Sequence, residues 1–369
     1  MKIERIEISR HSLPLEPPFP AAWDPVPRTK FGLTVVRIHT DDGAVGIGSG
    51  YLSSSFQDYE HLFLGQDPLD LSRHHSLLDD VSFDIGRCWA IDVALWDLKG
   101  RVENKPVWQL LGGKTDRLRA YASTGVLRDT QAMADQARFL VDEGYRAIKV
   151  RFGREDRRED LQVIESVRSA VGDGIDLMVD CNRAWRTPGN LRPYWPFEMV
   201  LEVTQHLDEL GVFWMEEPLH RGDYGGMTAL RNAVSVRISG GEMTTEPYEF
   251  STIIERGCLD VLQPDCCLTS GITGAAKIAF LAGEAGLIFS PHTWGNGIQF
   301  LANAHVAAGT TGSPYIEFPF DPPEWTALGR DFGLRDQTMI DGDGWVVLSD
   351  TPGFGFDLDE ELLAATRVG

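Results

Sequence analysis

The sequence predicts an α/β protein in which a barrel of eight parallel strands carries a smaller α+β capping domain. From about residue 119, eight short apolar segments alternate with helix-like segments, which is the pattern of βα units and a parallel sheet. The first hundred residues instead contain a hairpin signal and an isolated helical segment, and the last fifty are rich in Gly, Pro and Asp. We therefore expect a capping domain over residues 1–118, a barrel over residues 119–322, and a segment over residues 323–369 that packs back on the capping domain.

Local signals predict the elements of the capping domain. Residues 31–51 contain two apolar runs around Asp42-Gly43, a strong hairpin signal. A helix is predicted over residues 87–102, with one face formed by Trp89, Val93, Trp96 and Gly100. Residues 14–27 are rich in proline, which predicts a long loop rather than a regular element. Loops of this length are often lids or binding loops.

The barrel is predicted from regularly spaced strand candidates. They cover residues 119–126, 146–152, 175–181, 212–217, 236–242, 259–265, 287–292 and 314–318. Helix-like segments such as 158–172 and 274–286 separate them. Eight such units close most simply into a barrel. A further hairpin-like piece is expected at residues 341–350 in the C-terminal segment.

Charge and composition exclude several classes of protein. The formal net charge is −21, whereas nucleic-acid binding needs a basic surface for the phosphates. No run of about 18 uncharged apolar residues is present, and the N-terminus lacks the apolar core of a secretory signal. Five cysteines without a CxxC pair fit a reducing compartment. We therefore expect a cytoplasmic protein that binds neither nucleic acid nor a membrane.

Carboxylates end three consecutive predicted strands, at Asp180, Glu216 and Glu242. In a parallel barrel the carboxyl ends of the strands meet at one mouth, where active sites form. Each acid alone could be a surface group or a helix cap, but three acids packed together repel strongly unless a cation lies between them. Oxygen ligands with room for water and substrate favour Mg²⁺. The sequence therefore predicts one Mg²⁺ per subunit at this mouth.

The next two strands end in Asp265 and His292. Histidine is the side chain most easily poised for proton transfer near neutral pH. A lone histidine at a strand end is more often structural, but a neighbouring carboxylate can fix its tautomer and raise its basicity. We therefore expect His292 to be a catalytic base that Asp265 orients.

Two cations, Lys149 and Arg151, lie two residues apart in the apolar run AIKVRFG at 147–153. Residues two apart in a strand share one face, and buried cations are costly unless something pairs with them. They could simply neutralise the three acids. Two cations against three acids and a metal still leave room for an anionic ligand, so the arrangement favours a carboxylate substrate.

With these residues the chain resembles the enolase superfamily, and within it the mandelate racemase subgroup. The resemblance spans essentially the whole chain, and the ordered set of motifs is specific although each alone is weak. The motifs are KVR at 149–151, DCN at 180–182, WMEEP at 214–218, GGE at 240–242, QPDCCLTSGITG at 263–274, PHTWGNG at 291–297 and YIEF at 315–318.

The resemblance implies a modified TIM-type barrel, (β/α)7β, and a role for each motif. Asp180, Glu216 and Glu242 would bind Mg²⁺, which would hold a substrate carboxylate and stabilise the enediolate formed when the α-proton leaves. Asp265 and His292 would form the catalytic dyad, and Glu317 would donate a hydrogen bond as a neutral acid. Loops near residues 17–28 and 50–56 would close over the substrate. The expected substrate contacts are Asn182, Trp294, Trp23, Arg28 and Tyr51.

The sequence departs from the subgroup at Arg151, which stands where the pattern K-x-K places a second lysine as a base. An arginine is essentially always protonated and is a poor base, so we expect Arg151 to hold substrate. Lys149 could still act as a base if its pKa were depressed. A single base, His292, can remove an α-proton and return it to a departing β-hydroxyl. The sequence thus favours an acid-sugar dehydratase that forms a 2-keto-3-deoxy product.

Other functions on the same scaffold stay open. An aldarolactone cycloisomerase would expel a ring oxygen instead of water, and a racemase or epimerase would need bases on both faces of its substrate. A protein that binds acid sugars without turnover is a further alternative. Lids in this family often border a neighbouring subunit, so we also expect a homo-oligomer, between a dimer and an octamer.

Overall fold

The computed structural model describes residues 1–310 and 313–368, and within them an antiparallel sheet precedes a parallel one. The strands are β1 (Ile3–Phe19), β2 (Arg28–Thr40), β3 (Val45–Ser49), β4 (Arg117–Ser123), β5 (Ala147–Arg151), β6 (Asp176–Asp180), β7 (Trp214–Glu216), β8 (Arg237–Gly240), β9 (Val261–Leu262), β10 (Ile288–Phe289), β11 (Ile316–Pro319) and β12 (Trp345–Val347). The α-helices are α1 (Leu71–Ile85), α2 (Ala90–Val102), α3 (Val107–Leu110), α4 (Thr130–Asp142), α5 (Arg157–Val171), α6 (Phe197–Glu209), α7 (Tyr224–Ala233), α8 (Pro247–Glu255), α9 (Gly271–Glu284), α10 (Gly297–Gly309), α11 (Ala327–Arg330) and α12 (Glu360–Thr366). Short 3-10 helices cover Ser54–Asp58 and Glu60–Leu62.

The capping domain has a three-stranded antiparallel sheet in the order β1-β2-β3. The hairpin predicted around Asp42-Gly43 is confirmed, because β2 and β3 pair on either side of this turn and Gly43 has a φ of 88°. The loop predicted over residues 14–27 is wrong in its first part, since β1 continues to Phe19. Proline is tolerated here because β1 is an edge strand, and an irregularity in the pairing follows Pro14.

Eight parallel strands form the barrel, in the order β11-β4-β5-β6-β7-β8-β9-β10. Between β10 and β11 side chains join the two strands: Ser290 Oγ donates to the Tyr315 carbonyl (2.9 Å), and Thr293 Oγ1 donates to the Glu317 carbonyl (2.8 Å). Each of the strands β4 to β10 is followed by one of the helices α4 to α10, and β11 ends the series. The predicted (β/α)7β arrangement is therefore confirmed.

The interior of the barrel is packed, and this packing supports the mouth from below. Tyr121, Met178, Trp214 and Val261 form a buried cluster inside the barrel. Every residue of β5 is buried, including both of its cations. Lys149 Nζ lies 5.4 Å from the centre of the Tyr121 ring, so the cluster forms a floor under the charged side chains.

The C-terminal segment contacts both preceding parts of the chain. The predicted hairpin at residues 341–350 is only a turn followed by β12, which pairs antiparallel with β4 of the barrel. On the side of the capping domain, the Phe354 amide donates to Asp97 Oδ1 (2.9 Å) and Arg37 Nη2 lies 2.8 Å from Glu360 Oε2. These contacts fasten the segment across the junction between barrel and cap.

Across residues 1–310 and 313–368, no helix combines the length and the apolar character needed to cross a membrane.

Candidate active site

The barrel brings the predicted ionisable residues to its carboxyl-terminal mouth. Asp180 and Glu216 are the last residues of β6 and β7 and are direct neighbours across these strands. Arg151, at the end of β5, neighbours Asp180 in the same way. Residues that follow the next strands, or lie in the last one, complete the group: Glu242, Asp265, His292 and Glu317.

Asp180, Glu216 and Glu242 form a buried acidic triad. One carboxylate oxygen from each lies within 4.8 Å of the others, and all three residues are buried. Glu242 Oε1 accepts a hydrogen bond from Trp185 Nε1 (2.7 Å) and Glu216 Oε2 accepts one from Gln263 Nε2 (2.8 Å). These two donors are neutral, so they orient two of the three acids without themselves offsetting the negative charge.

Lys149 is fully buried among the acids. Its Nζ lies 2.8 Å from Glu216 Oε1, 2.7 Å from Glu317 Oε1 and 3.6 Å from Asp180 Oδ2. Burial alone lowers the pKa of Lys149, but the charges of Glu216 and Glu317 outweigh it and raise the pKa above its usual value. The ammonium group therefore acts as a fixed bridge between carboxylates.

Arg151 is held by its own neighbours on several sides. Its guanidinium pairs with Asp180 and donates to Asn182 Oδ1 (3.1 Å), to the Thr124 carbonyl (2.6 Å) and to Ser123 Oγ (3.2 Å). These bonds use four of the five N–H groups of an arginine. The fifth has no acceptor among the residues that the structure describes, so it is the one Arg151 donor left for a ligand.

The buried acids at the mouth outnumber the fixed cations. Lys149 and Arg151 face six buried carboxyl groups, which are Asp180, Glu216, Glu217, Glu242, Asp265 and Glu317. Burial, only partly offset by Lys149, raises the pKa of Glu216 to about 8. Buried carboxylates of this density need a further cation, and an all-oxygen donor set suits a hard divalent ion. The triad therefore fits Mg²⁺.

His292 and Asp265 form the predicted pair. His292 Nδ1 lies 3.0 Å from Asp265 Oδ2, while Asp265 Oδ1 accepts from the Cys267 amide (2.8 Å) and from Asn303 Nδ2 (2.9 Å). His292 Nε2 lies 3.6 Å from Glu242 Oε2. Burial lowers the pKa of His292, but Glu242 and the hydrogen bond with Asp265 prevail and raise it to about 10. Asp265 therefore fixes the ring so that Nε2 points toward the acidic triad.

Glu317 lies among hydrogen-bond donors. Its two oxygens accept from Ser123 Oγ and from the Thr293 amide, both at 2.8 Å, and pair with Lys149. Burial opposes ionisation, but Lys149 and His292 outweigh it and lower the pKa of Glu317 to about 2. In this arrangement both Glu317 oxygens accept hydrogen bonds, and its role as a neutral donor to a substrate stays a prediction.

A cavity of about 130 Å³ opens at the dyad. Among the predicted site residues, its lining contains Trp23, Arg28, Tyr51, Arg151, Glu242, Asp265, His292 and Trp294. Five predicted site residues are not in the lining. Asn182 bonds to Arg151, and Lys149 is buried together with the three acids that it contacts, Asp180, Glu216 and Glu317. Five further residues that were not predicted from the sequence also line it: Trp185, Thr187, Met243, Leu268 and Gln299. All but Gln299 lie in loops that directly follow a barrel strand, and this position is the signal by which the sequence could have identified them.

The capping domain supplies the outer wall of this cavity. Trp23 lies over the Arg151 guanidinium, with its ring centre 4.6 Å from Arg151 Cζ, and packs edge-on against Trp294. Arg28 pairs with Asp24, and Tyr51 is 61% exposed at the rim. Both predicted loops therefore reach the site, with Trp23 as the inner contact and Tyr51 as the outer one.

Two family models match the chain. Residues 5–112 match the mandelate racemase / muconate lactonizing enzyme N-terminal domain, and residues 132–362 match the enolase C-terminal domain-like family. Among curated proteins, arabinonate dehydratase of Saccharolobus solfataricus is 32% identical over 88% of each chain. D-galactarolactone cycloisomerase of Agrobacterium fabrum is 29% identical over 90% of this chain and 91% of its own.

A solved structure carries the same fold together with a metal. L-talarate dehydratase of Polaromonas sp. JS666, complexed with Mg and L-glucarate, is 27% identical with a TM-score of 0.85, over 100% of this chain and 98% of its own. The matches over both domains and the described fold agree, and the chain belongs to the mandelate racemase / muconate lactonizing enzyme family of the enolase superfamily.

Proposed function

We propose that the chain is a Mg²⁺-dependent acid-sugar dehydratase. It removes the proton on the carbon next to a carboxylate and eliminates water, giving a 2-keto-3-deoxy acid sugar. The observation that carries this proposal is the set of side chains that line the cavity. Among the residues that the structure describes, His292 is the single imidazole in the lining, and the strand expected to supply a second base presents Arg151.

The geometry supports His292 as the base of the proposed reaction. Its Nε2 points toward the triad while Asp265 holds Nδ1, so Nε2 is the atom placed to take the α-proton. As the C–H bond breaks, a double bond forms to the β-carbon, and the β-hydroxyl leaves with the proton that His292 returns. The products are water and an enol, which tautomerises to the 2-keto acid. One base on one side of the substrate is enough for this elimination.

The remaining residues bind and orient. Arg151 offers its fifth N–H group and its charge to the substrate, and Trp23 and Trp294 exclude water from above it. Asp180, Glu216 and Glu242 would hold Mg²⁺. When bound, the ion would offset the carboxylates that keep His292 protonated and would attract the negative charge that builds on the substrate carboxylate.

The relatives support this reaction class. An arabinonate dehydratase and a dehydratase complexed with Mg and L-glucarate are similar to the chain over nearly its whole length. A cycloisomerase of a sugar lactone is similar as well. The latter reaction would use the same proton removal and a ring oxygen as leaving group, so the two reactions differ in the substrate rather than in the base.

The proposal is tested by screening the purified protein with Mg²⁺ against mono- and diacid sugars and their lactones, with 2-keto acid measured as its semicarbazone. We expect an acid sugar to give a keto acid, and His292→Asn to lower the rate by about three orders of magnitude or more, as loss of a general base does. His220→Asn is the matched control, because His220 lies in a loop outside the cavity. If only lactones were turned over, the proposed dehydratase function would be wrong and a cycloisomerase function would replace it.

A further inference from the structure

A second cavity, separate from the active site, lies beside the loops that follow β5 and β6. Its volume is about 600 Å³, and it shares no lining residue with the cavity at His292. The lining is Gly153, Arg154, Glu155, Asp156, Arg157, Arg183, Arg192, Pro193, Tyr194, Trp195, Pro196 and Met199. Four arginines in one cavity stand out in a chain whose net charge is −21.

Arg183 is the central feature of this cavity. It is only 8% exposed, and its buried Nε has no hydrogen-bond partner. Within residues 1–310 and 313–368, no acid lies within ion-pair distance of its guanidinium. Its Cζ lies 4.8 Å from the centre of the Trp195 ring, which restrains the side chain without neutralising it. A buried guanidinium without an acidic partner is costly.

Arg192 adds a second uncompensated charge. Its Nη1 donates to the Gly153 carbonyl (3.0 Å), and it forms no ion pair with the described acids. Burial, together with the like charges of Arg192 and Arg186, lowers the pKa of Arg183. Both guanidinium groups therefore present positive charge that the surrounding protein does not offset.

The other charged groups of the cavity are already engaged or lie apart. Arg154 pairs with Asp160 and Arg157 with Glu202, while Asp156 caps α5 and pairs with Arg158. Glu155 lines the cavity, but it is not within ion-pair distance of Arg183 or Arg192. The uncompensated charge is therefore positive and is concentrated on these two arginines.

We propose that this cavity is a binding site for a small oxyanion, a phosphate or a carboxylate group, held by Arg183 and Arg192. Planar guanidinium groups bind the oxygens of such anions in pairs. The aromatic ring of Trp195 would hold Arg183 in place for this contact. The site is distinct from the proposed reaction and does not depend on it.

The test is isothermal titration of the full-length protein with inorganic phosphate, and in parallel with succinate. We expect saturable binding of one anion per chain, weakened at least tenfold in Arg183→Met and in Arg192→Gln. Arg237→Gln is the matched control, because Arg237 also lies over an aromatic ring, Phe213, but outside the cavity. The anion that binds more tightly identifies the source as a phosphate ester or a carboxylic acid.

Arg192 is exposed, so we expect Arg192→Gln to fold, and this variant tests the proposal even if Arg183→Met does not fold. Absence of saturable binding of both anions, or equal binding in the wild type and Arg192→Gln, would overturn the proposal. Light scattering adds one further outcome. If Arg192→Gln changes the size of the assembly and the wild type binds neither anion, the cavity receives a second copy of the chain and the oxyanion site is refuted.

Discussion

The two cations of β5 have different surroundings although they share one face of the strand. Lys149 lies beneath the acids, bridging Glu216 and Glu317, and is fully buried. Arg151 lies at the wall of the cavity and keeps one N–H group free for a ligand. Neither has a free lone pair at the cavity surface. This arrangement supports the proposal that His292 transfers the proton, and it is the physical reason for proposing elimination rather than racemisation.

Trp185 orients Glu242 through its indole N–H, at 2.7 Å from Oε1. We expect Trp185→Phe to keep the aromatic packing but to lose this hydrogen bond, which is worth roughly 1.5–3 kcal/mol when it involves a charged group. The predicted result is an approximately tenfold or greater weakening of Mg²⁺ binding, measured by titration calorimetry. Trp195→Phe is the control, since Trp195 lies in the other cavity. Unchanged Mg²⁺ affinity in Trp185→Phe would show that Glu242 does not need this donor.

Helix α10 connects the active site to the capping domain. At its start Asn296 and Gln299 form a reciprocal capping box, and Gln299 also lines the cavity. Near its end the fully buried His305 accepts a hydrogen bond at Nδ1 from the Trp108 amide of α3 (3.1 Å). We therefore expect a substitution at either end of this buried helix to disturb the contact between the capping domain and the barrel.

His305 makes stability depend on pH. Burial lowers its pKa to about 3 in the folded protein, against about 6.5 for an unfolded chain. Between these values only the unfolded state takes up the proton, so the contribution is complete above pH 6.5 and is lost as the pH falls toward 3. We expect His305→Gln to reduce the acid loss of stability by about 1 kcal/mol per pH unit between pH 6 and 4.5.

Urea unfolding of the wild type and His305→Gln at several pH values measures this difference. His61→Gln is the control, because His61 is exposed in the capping domain. Parallel stability curves for the wild type and His305→Gln would contradict the assignment of a neutral, buried imidazole at this junction.

The barrel and the ends of its strands could be predicted from the sequence, whereas the loops could not. The positions of Glu216 and His292 at strand ends could be predicted because regularly spaced apolar runs locate each strand and its direction. Trp185 and Met243 were missed because a loop side chain is placed by tertiary contacts, which no local period records. The extension of β1 through Pro14 was missed for a related reason, since proline is excluded only from strands paired on both sides.

The protein has a formal net charge of −21, and several of its buried acids lie together at the mouth of the barrel. The acids in the barrel repel one another in the folded state and separate when the chain unfolds. A cation that binds only the folded state therefore stabilises it, by about 2.7 kcal/mol at a hundred times its dissociation constant. Binding of a metal ion at the acidic triad would therefore be linked to the overall stability of the protein.

We accordingly expect Mg²⁺ to raise the melting temperature of the protein by several degrees after treatment with EDTA, and to do so much less in Glu242→Gln. Differential scanning calorimetry over a series of Mg²⁺ concentrations measures the shift. Glu255→Gln serves as the control, as it removes one charge from the end of α8 outside the site. A shift of equal size in Glu242→Gln would mean that the ion binds elsewhere.

The most direct measurement is NMR of substrate and product after turnover in D₂O with Mg²⁺, for the wild type, His292→Asn and Lys149→Ala. One base at His292 predicts a 2-keto-3-deoxy product with deuterium on its new methylene carbon, and neither product nor exchange in His292→Asn. Deuterium on the α-carbon of recovered substrate without any keto acid, retained in His292→Asn and lost in Lys149→Ala, would contradict this mechanism and place the proton-transfer base on β5.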